Sequence, residues 1–321
     1  MPTISRRIGR GAAVSAAAAI IVLVNPTARV PIDVSYYALN LRLDPVLRRI
    51  AGTARVIARM PHGGSALVLD LADVMQVDSV ILAGHPAVWS HQRGALRISL
   101  PARAAAGATV DLLVYYGGTP DGNMGGDNPF QFDAHAGVPV VSSYGLPYHA
   151  REWWPSHDTP SDKADSASLT FTVPAPLVAV SNGRLVATDS NADGTVTYRW
   201  KVGYPIYPDV ISVAATNFTH FGSRYVGIGG DTMPLDFYVF PEDEAKARVS
   251  FSVIESILHS YEALFGPYPF RREKYGIVEF PIHGYREHQT ITSLGAAWIT
   301  GDRRNDRTLA HEVAHQWFGN L

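Results

Sequence analysis

His311 and His315 stand four residues apart and enclose Glu312 in the segment HEVAH. On a helix that spacing puts both imidazoles on one face, one turn apart. Two neutral imidazoles aimed at one point make half of a metal site, and zinc is the usual occupant. The glutamate between them is placed to take a proton from a metal-bound water. A catalytic zinc site needs three protein ligands, and this segment supplies two.

The flanks predict the helix that positions these groups. Asn305 or Asp306 can cap its start, Leu309, Val313 and Trp317 give it an apolar side, and Gly319 can stop it. An apolar side implies burial, where histidines without partners are costly. Ahead of it the periodicity predicts a strand over 235–240 and a helix over 242–265. That helix has Ile254, Ile257, Leu258, Tyr261 and Leu264 on one face and Gly266 at its end. A strand over 275–280, a loop with His283 and Gly284, and a strand over 288–291 follow. This order suits the start of an α/β domain.

From about 33 to 222 the pattern has a period of two, as in Leu39, Leu41 and Leu43, in Leu96, Ile98 and Leu100, and in Val110, Leu112 and Val114. Asn182-Gly183 and Asp193-Gly194 read as hairpin turns. The stretch from Gly117 to about Asp165 shows no regular period but holds Tyr144, Tyr148, Trp153 and Trp154, too aromatic for disorder. The expected fold is mixed. A β-rich saddle or sandwich spans 29–222, and the start of an α/β metallopeptidase domain spans 223–321.

With 321 residues, 46% of them apolar and 17% charged, the chain can bury a sizeable core in about two domains. A net charge of −2 leaves no nucleic-acid footprint. The absence of cysteine excludes disulfides, thiol catalysis and cysteine zinc ligands, and leaves the redox compartment open. Arg6, Arg7 and Arg10 precede an apolar run from Gly11 to Val24, shorter than a spanning helix needs. Residues 1–28 therefore read as a secretory signal, with an uncleaved anchor as the alternative. The protein is expected outside the cytoplasm, secreted or in the cell envelope, and on a membrane only if that segment is retained.

The tail HEVAHQWFGN at 311–320 resembles the zinc helix of the membrane-alanyl-aminopeptidase family of gluzincins, to which leukotriene A hydrolase belongs. The family's GxMEN motif has a counterpart in Gly284-Tyr285-Arg286-Glu287-His288, with Glu287 24 residues before His311 (311 − 287). The segment AREWWPSHDTPSDKAD at 150–165 is similar to one in the family's N-terminal β-saddle domain. The resemblance implies a thermolysin-like catalytic domain in which His311 and His315 bind one Zn2+ and Glu312 is the general base. It implies that Glu287 pairs with the free α-amino group of a peptide substrate and that Gly284 lets its backbone approach. Arg286 and His288 replace the family's Met and Asn, and both are taken as substrate contacts. Leu146 stands where the family usually has a second acid or amide for the amine, and Tyr144 nearby could offer a hydroxyl. The family's third zinc ligand, a glutamate, would fall beyond Leu321. The chain is therefore expected to be a truncated zinc aminopeptidase, inactive by itself. A non-catalytic peptide-binding or structural relative is the alternative.

Overall fold

Alternating burial sets the architecture of the N-terminal unit. The computed structural model describes residues 31–120, 129–144, 147–281 and 284–321. The expected signal or anchor at 1–28 lies outside these residues, and no described helix is long and apolar enough to cross a membrane. β1 (Asp33–Asp44) buries Tyr37, Leu39, Leu41 and Leu43 and turns Asn40 and Arg42 outward. A register shift at Val34/Tyr36 lets Val34 face the same core, three residues from Tyr37.

Strands β2 (Arg49–Met60), β3 (Gly64–Asp70), β4 (Met75–Leu82), β5 (His85–Pro86), β6 (Val88–Gln92), β7 (Ala95–Ala104) and β8 (Ala108–Gly118) follow. Next come β9 (Phe130–His135), β10 (Val138–Ser143), β11 (Ser166–Pro174), β12 (Val178–Ser181), β13 (Arg184–Ser190), β14 (Thr195–Val202) and β15 (Val213–Thr216). They form an eight-stranded sheet in the order β13-β14-β11-β1-β2-β8-β4-β5, a four-stranded sheet β12-β15-β10-β9 and a three-stranded sheet β3-β7-β6. Trp153 and Trp154 are fully buried against this core, each stabilising it by roughly 1.5–3 kcal/mol through area alone.

The second unit is built on a five-stranded sheet. It comprises β16 (Thr219–Val226), β17 (Thr232–Val239), β18 (Tyr275–Phe280), β19 (Tyr285–Arg286) and β20 (Thr292–Gly295), in the order β16-β17-β18-β20-β19. Three helices accompany it: α1 (Glu244–Ser250), α2 (Ile254–Phe265) and α3 (Asp306–Ala314). Alternation splits the sheet between two cores. Tyr238, Phe240, Val278 and Phe280 join the core of the β-rich unit. Leu235, Phe237, Val239, Tyr275 and Ile277 pack with Ile254, Leu258, Leu309, Val313 and Trp317 of the helices. The mixed fold read from the sequence is the fold observed. Residue 222 lies inside β16, because the strand already runs against β17 from Thr219 onward.

Four local readings are corrected. The stretch without a period contains the hairpin β9–β10, hidden by Pro139; β10 pairs with β15 only at Val141 and Ser142, so Pro139 needs no second ladder bond. Asn182-Gly183 is no hairpin turn, since it carries the chain from one sheet to another, whereas Asp193-Gly194 does join the paired strands β13 and β14. The helix expected over 242–265 breaks at Phe251–Val253, where the Ser252 hydroxyl donates to the Val249 carbonyl at 2.7 Å and competes with the backbone. The strand expected over 288–291 starts instead at Thr292, after a turn in which Thr290 takes a left-handed φ of 65°.

Candidate metal centre

α3 is set in place by its apolar side. Leu309 and Val313, with Trp317 beyond the last helical turn, are buried against α2. The Tyr261 hydroxyl donates to the Ala310 carbonyl at 3.0 Å, and the Trp317 indole N–H donates to the Gly266 carbonyl at 3.1 Å. Asn305 precedes the helix, but its side chain donates to the Trp298 carbonyl rather than capping. Past the helix the Asn320 N–H returns to the His315 carbonyl across Gly319, whose φ of 121° only glycine adopts freely.

The two imidazoles converge. His311 Nε2 and His315 Nε2 are 3.2 Å apart, and two nitrogens each about 2.0–2.1 Å from a tetrahedral zinc sit roughly 3.3 Å apart. His315 Nδ1 lies 3.2 Å from the Phe318 carbonyl. Nδ1 therefore carries the proton and Nε2 keeps its lone pair. Glu312 is fully buried, and neither of its oxygens has a hydrogen-bond donor. Burial pushes its carboxyl up to about 8, the Glu287 carboxylate adds to that, and Arg286 opposes it. A divalent cation at the imidazoles acts as Arg286 does, favouring the carboxylate. Two converging imidazole nitrogens beside a buried carboxylate that lacks a hydrogen-bond donor fit a zinc ion. His311, Glu312 and His315 form the one cluster of three such groups among the described residues.

The segment after β19 that bears Glu287 is tied to this helix by residues the motif alone did not single out. Gln316 is fully buried; its carbonyl accepts the Thr290 N–H at 2.8 Å and its amide donates to the His288 carbonyl at 3.3 Å. Asn320 donates to the Glu287 carbonyl at 2.7 Å, and Lys163 donates to the Asn320 carbonyl at 2.9 Å. Lys163 belongs to the 150–165 segment, so that part of the β-rich unit reaches the metal helix. A polar residue inside the stripe Leu309–Val313–Trp317 was the available signal for Gln316.

The remaining candidates fall into place unevenly. Gly284 has a φ of 119°, and a Cβ there would meet the Tyr144 hydroxyl oxygen at 2.9 Å. β19, which follows it, pairs with β20 on one side and with no strand on the other among the described residues. Among the described residues Arg286 makes no close ion pair with an acid. Its guanidinium stacks on the Tyr144 ring, 3.7 Å from the centroid, and donates to the Tyr144 and Tyr285 carbonyls at 3.3 and 2.9 Å. Tyr285 sits edge-on to His311, 6.3 Å between centroids, and packs on Trp298. His288 does not line the cleft. It is fully buried with Nδ1 2.8 Å from the Ser293 hydroxyl, and burial, aided by Arg286, holds its pKa down to about 3. Leu146 and His283 lie outside the described residues. Asp158 pairs with Arg151 at 2.7 Å, while Asp162 accepts the Val34 N–H and holds His157 at 2.8 Å.

A β-rich unit packed on an α/β unit, whose helix aims two imidazoles and a buried carboxylate at one point, is the architecture of a two-unit metallopeptidase. The Peptidase M1 N-terminal domain matches residues 33–206, more than half of the chain. The chain belongs to the M1 peptidase family. It is 26% identical over 291 residues to leucine aminopeptidase 2 of Yarrowia lipolytica, covering 88% of this chain and 42% of that protein. Against leucine aminopeptidase 2 of Pyricularia oryzae it is 26% identical over 301 residues, covering 88% and 46%. The chain thus spans less than half the length of these curated relatives. Its fold is shared with an M1 zinc metallopeptidase from Deinococcus radiodurans, at a TM-score of 0.78 and 24% identity over 90% of this chain and 64% of that one. A mutant from the same organism, solved bound to a Tyr-Ser-Ala substrate, superposes at a TM-score of 0.79 with 24% identity, covering 90% and 65%. Yeast LTA4 hydrolase superposes at 0.73 with 23% identity, covering 90% and 44%.

Proposed function

We propose that the protein carrying this chain is a zinc aminopeptidase that hydrolyses the first peptide bond of substrates with a free N-terminus. The observation that carries the reading is the pair of Nε2 atoms 3.2 Å apart beside the unpartnered Glu312 carboxylate. His311 and His315 would hold one zinc ion. When bound, zinc lowers the pKa of a coordinated water to about 7 and polarises a carbonyl oxygen. Glu312 takes a proton at its carboxylate and delivers it to the departing amine. Glu287 pairs with the α-ammonium group, and its fixed offset from the metal helix measures one residue from the substrate N-terminus. The open edge of β19, with Gly284 at its start, accepts an extended peptide backbone as an added strand. The names of the relatives, leucine aminopeptidases, and of a neighbour bound to Tyr-Ser-Ala support the same substrate class.

The same reading keeps residues 29–222 as a support unit and 223–321 as the unit bearing the metal helix. It places the protein outside the cytoplasm after removal of residues 1–28, which N-terminal sequencing of the mature protein tests. The activity is tested on the full-length protein with an unblocked leucyl anilide and its N-acetylated twin. Zinc-dependent hydrolysis of the first alone is expected. Equal rates on both would refute the role of Glu287, and no zinc-dependent hydrolysis of either would favour a non-catalytic relative.

A further inference from the structure

The edge of β19 presents one residue to an incoming strand, and its carbonyl is already taken. The Gly295 N–H donates to the Gly284 carbonyl at 2.8 Å, so Tyr285 and Leu294 face each other as a non-hydrogen-bonded pair. The Tyr285 N–H and C=O therefore point away from β20, to the side where no described strand pairs. An added peptide strand would bind these groups. Yet Arg286, the next residue, folds its guanidinium back and donates from Nη1 to the Tyr285 carbonyl at 2.9 Å. Peptide and guanidinium compete for this oxygen, whose second lone pair leaves a peptide N–H only an off-axis bond beside a cation. Two further contacts fix the guanidinium: it stacks 3.7 Å from the Tyr144 ring centroid, and Nε donates to the Tyr144 carbonyl at 3.3 Å. These partners are all neutral, and Nη2 has no acceptor among the described residues. Glu287 and Glu312, the acids whose charges act together with that of Arg286, have other partners in the proposed reaction, the α-ammonium group and the zinc-bound water. A half-buried guanidinium with neutral partners only is half of an ion pair, and a carboxylate binds it more strongly than carbonyls do.

We propose that Arg286 selects peptides whose first residue is acidic: the side-chain carboxylate draws the guanidinium into an ion pair and frees the Tyr285 carbonyl for the substrate backbone. This rests on the aminopeptidase reading above, in which Glu287 holds the α-ammonium group of that same residue. Two consecutive side chains then read the two charges of one substrate residue, Glu287 its cation and Arg286 its anion. A peptide with a neutral first side chain must break the Nη1 bond and gives the guanidinium nothing in return, so it binds more weakly. Arg286 in this role is a specificity residue that also closes the strand edge against the wrong peptides.

Calorimetric titration of the full-length protein carrying Glu312→Gln tests this without turnover. The probes are the tripeptide amides Glu-Ala-Ala, Gln-Ala-Ala and Leu-Ala-Ala, whose amide ends remove the second carboxylate. The glutamyl peptide should bind about tenfold or more tighter than the glutaminyl one, as a charge-assisted pair provides. Adding Arg286→Met should abolish that preference. It should also tighten the leucyl peptide by about threefold to tenfold, because the Tyr285 carbonyl is then uncovered. A merely structural role for Arg286 predicts the opposite, weaker binding of all three peptides. Equal affinity for the glutamyl and glutaminyl peptides before Arg286 is changed, which needs no further variant to fold, would overturn the proposal. So would a preference that survives Arg286→Met, or weaker leucyl binding in that variant at an unchanged melting temperature. N-acetylation of the glutamyl peptide should cost affinity. No such cost would overturn the role of Glu287 and this inference with it, whereas binding that is sensitive to acetylation but indifferent to the acid would overturn this inference alone.

Discussion

Gln316→Ala should release the 287–290 turn from the metal helix without touching a metal ligand. Gln316 is fully buried and satisfies the Thr290 N–H at 2.8 Å and the His288 carbonyl at 3.3 Å. Alanine leaves the Thr290 N–H buried and unpaired, while the His288 carbonyl keeps the Ile291 N–H at 3.2 Å. Such an orphan costs about 1–3 kcal/mol, so the turn should lose about 2 kcal/mol. That loss multiplies the local opening equilibrium by roughly 30, at about 1.4 kcal/mol per factor of ten. Hydrogen exchange of the full chain, followed by mass spectrometry on a peptide covering 287–292, should then run about 30-fold faster, while β1 and β2 are unaffected. Gln316→Glu sharpens the test. Below the unfolded carboxyl pKa of about 4.3 the acid is protonated in both states, and its O–H replaces the lost amide donor. In this buried position its folded pKa is raised, so the stability present below about 4.3 is lost as pH rises through that folded value. Exchange in 287–292 that stays within about threefold of the unmodified chain in the alanine variant would show that Gln316 does not hold the turn.

Glu312→Gln should keep zinc yet lower hydrolysis of the unblocked anilide by about 10²–10⁴-fold in the full-length protein; activity within tenfold of the original contradicts a proton-transfer role. His311→Ala should abolish zinc retention through dialysis against a weak chelator, read as metal content per chain, and undiminished zinc would move the ligand set elsewhere. Glu279→Gln tests a buried acid away from the metal. Burial pushes the Glu279 carboxyl up to about 8, and one of its oxygens accepts the Phe240 N–H at 2.8 Å. Its contribution to stability is present below about pH 4.3 and is lost as pH rises through about 8, at up to about 1.4 kcal/mol per unit. Glutamine keeps the Phe240 bond and should flatten that slope in urea unfolding between pH 5 and 8; an unchanged slope rules Glu279 out as its source. Gly284→Ala forces alanine to a φ of 119° with its Cβ 2.9 Å from the Tyr144 hydroxyl oxygen, at a cost of about 1–3 kcal/mol in strain. Adding Tyr144→Phe should return only the steric part, and a melting temperature equal to that of the unmodified chain would refute the strain.

Periodicity exposes whatever local sequence controls, and here that covers the strands of the β-rich unit and the metal helix. Leu39, Leu41 and Leu43 are buried as their alternation requires, and Leu309, Val313 and Trp317 pack as the helical stripe requires. Tertiary partners defeat the reading elsewhere. Asn182-Gly183 has the composition of a turn, yet the Asn182 side chain is fully buried and donates to the Val210 and Gln289 carbonyls at 2.8 and 2.7 Å. Thr290 is β-branched and ill suited to a left-handed φ, but its hydroxyl accepts the Gly183 N–H and its own N–H reaches Gln316, both at 2.8 Å. Those bonds run from the β-rich unit through the 288–290 turn to the residue after His315. The positions where residue type conflicts with local pattern are therefore a connected set, and they join the two units to the metal helix. A strained threonine costs of order 1–3 kcal/mol, which two hydrogen bonds to buried partners can offset at about 1 kcal/mol each. The offset holds only while β12–β13, the 288–290 turn and the metal helix are all in register. The metal centre is thus positioned by the whole two-unit fold rather than by the HEVAH helix alone.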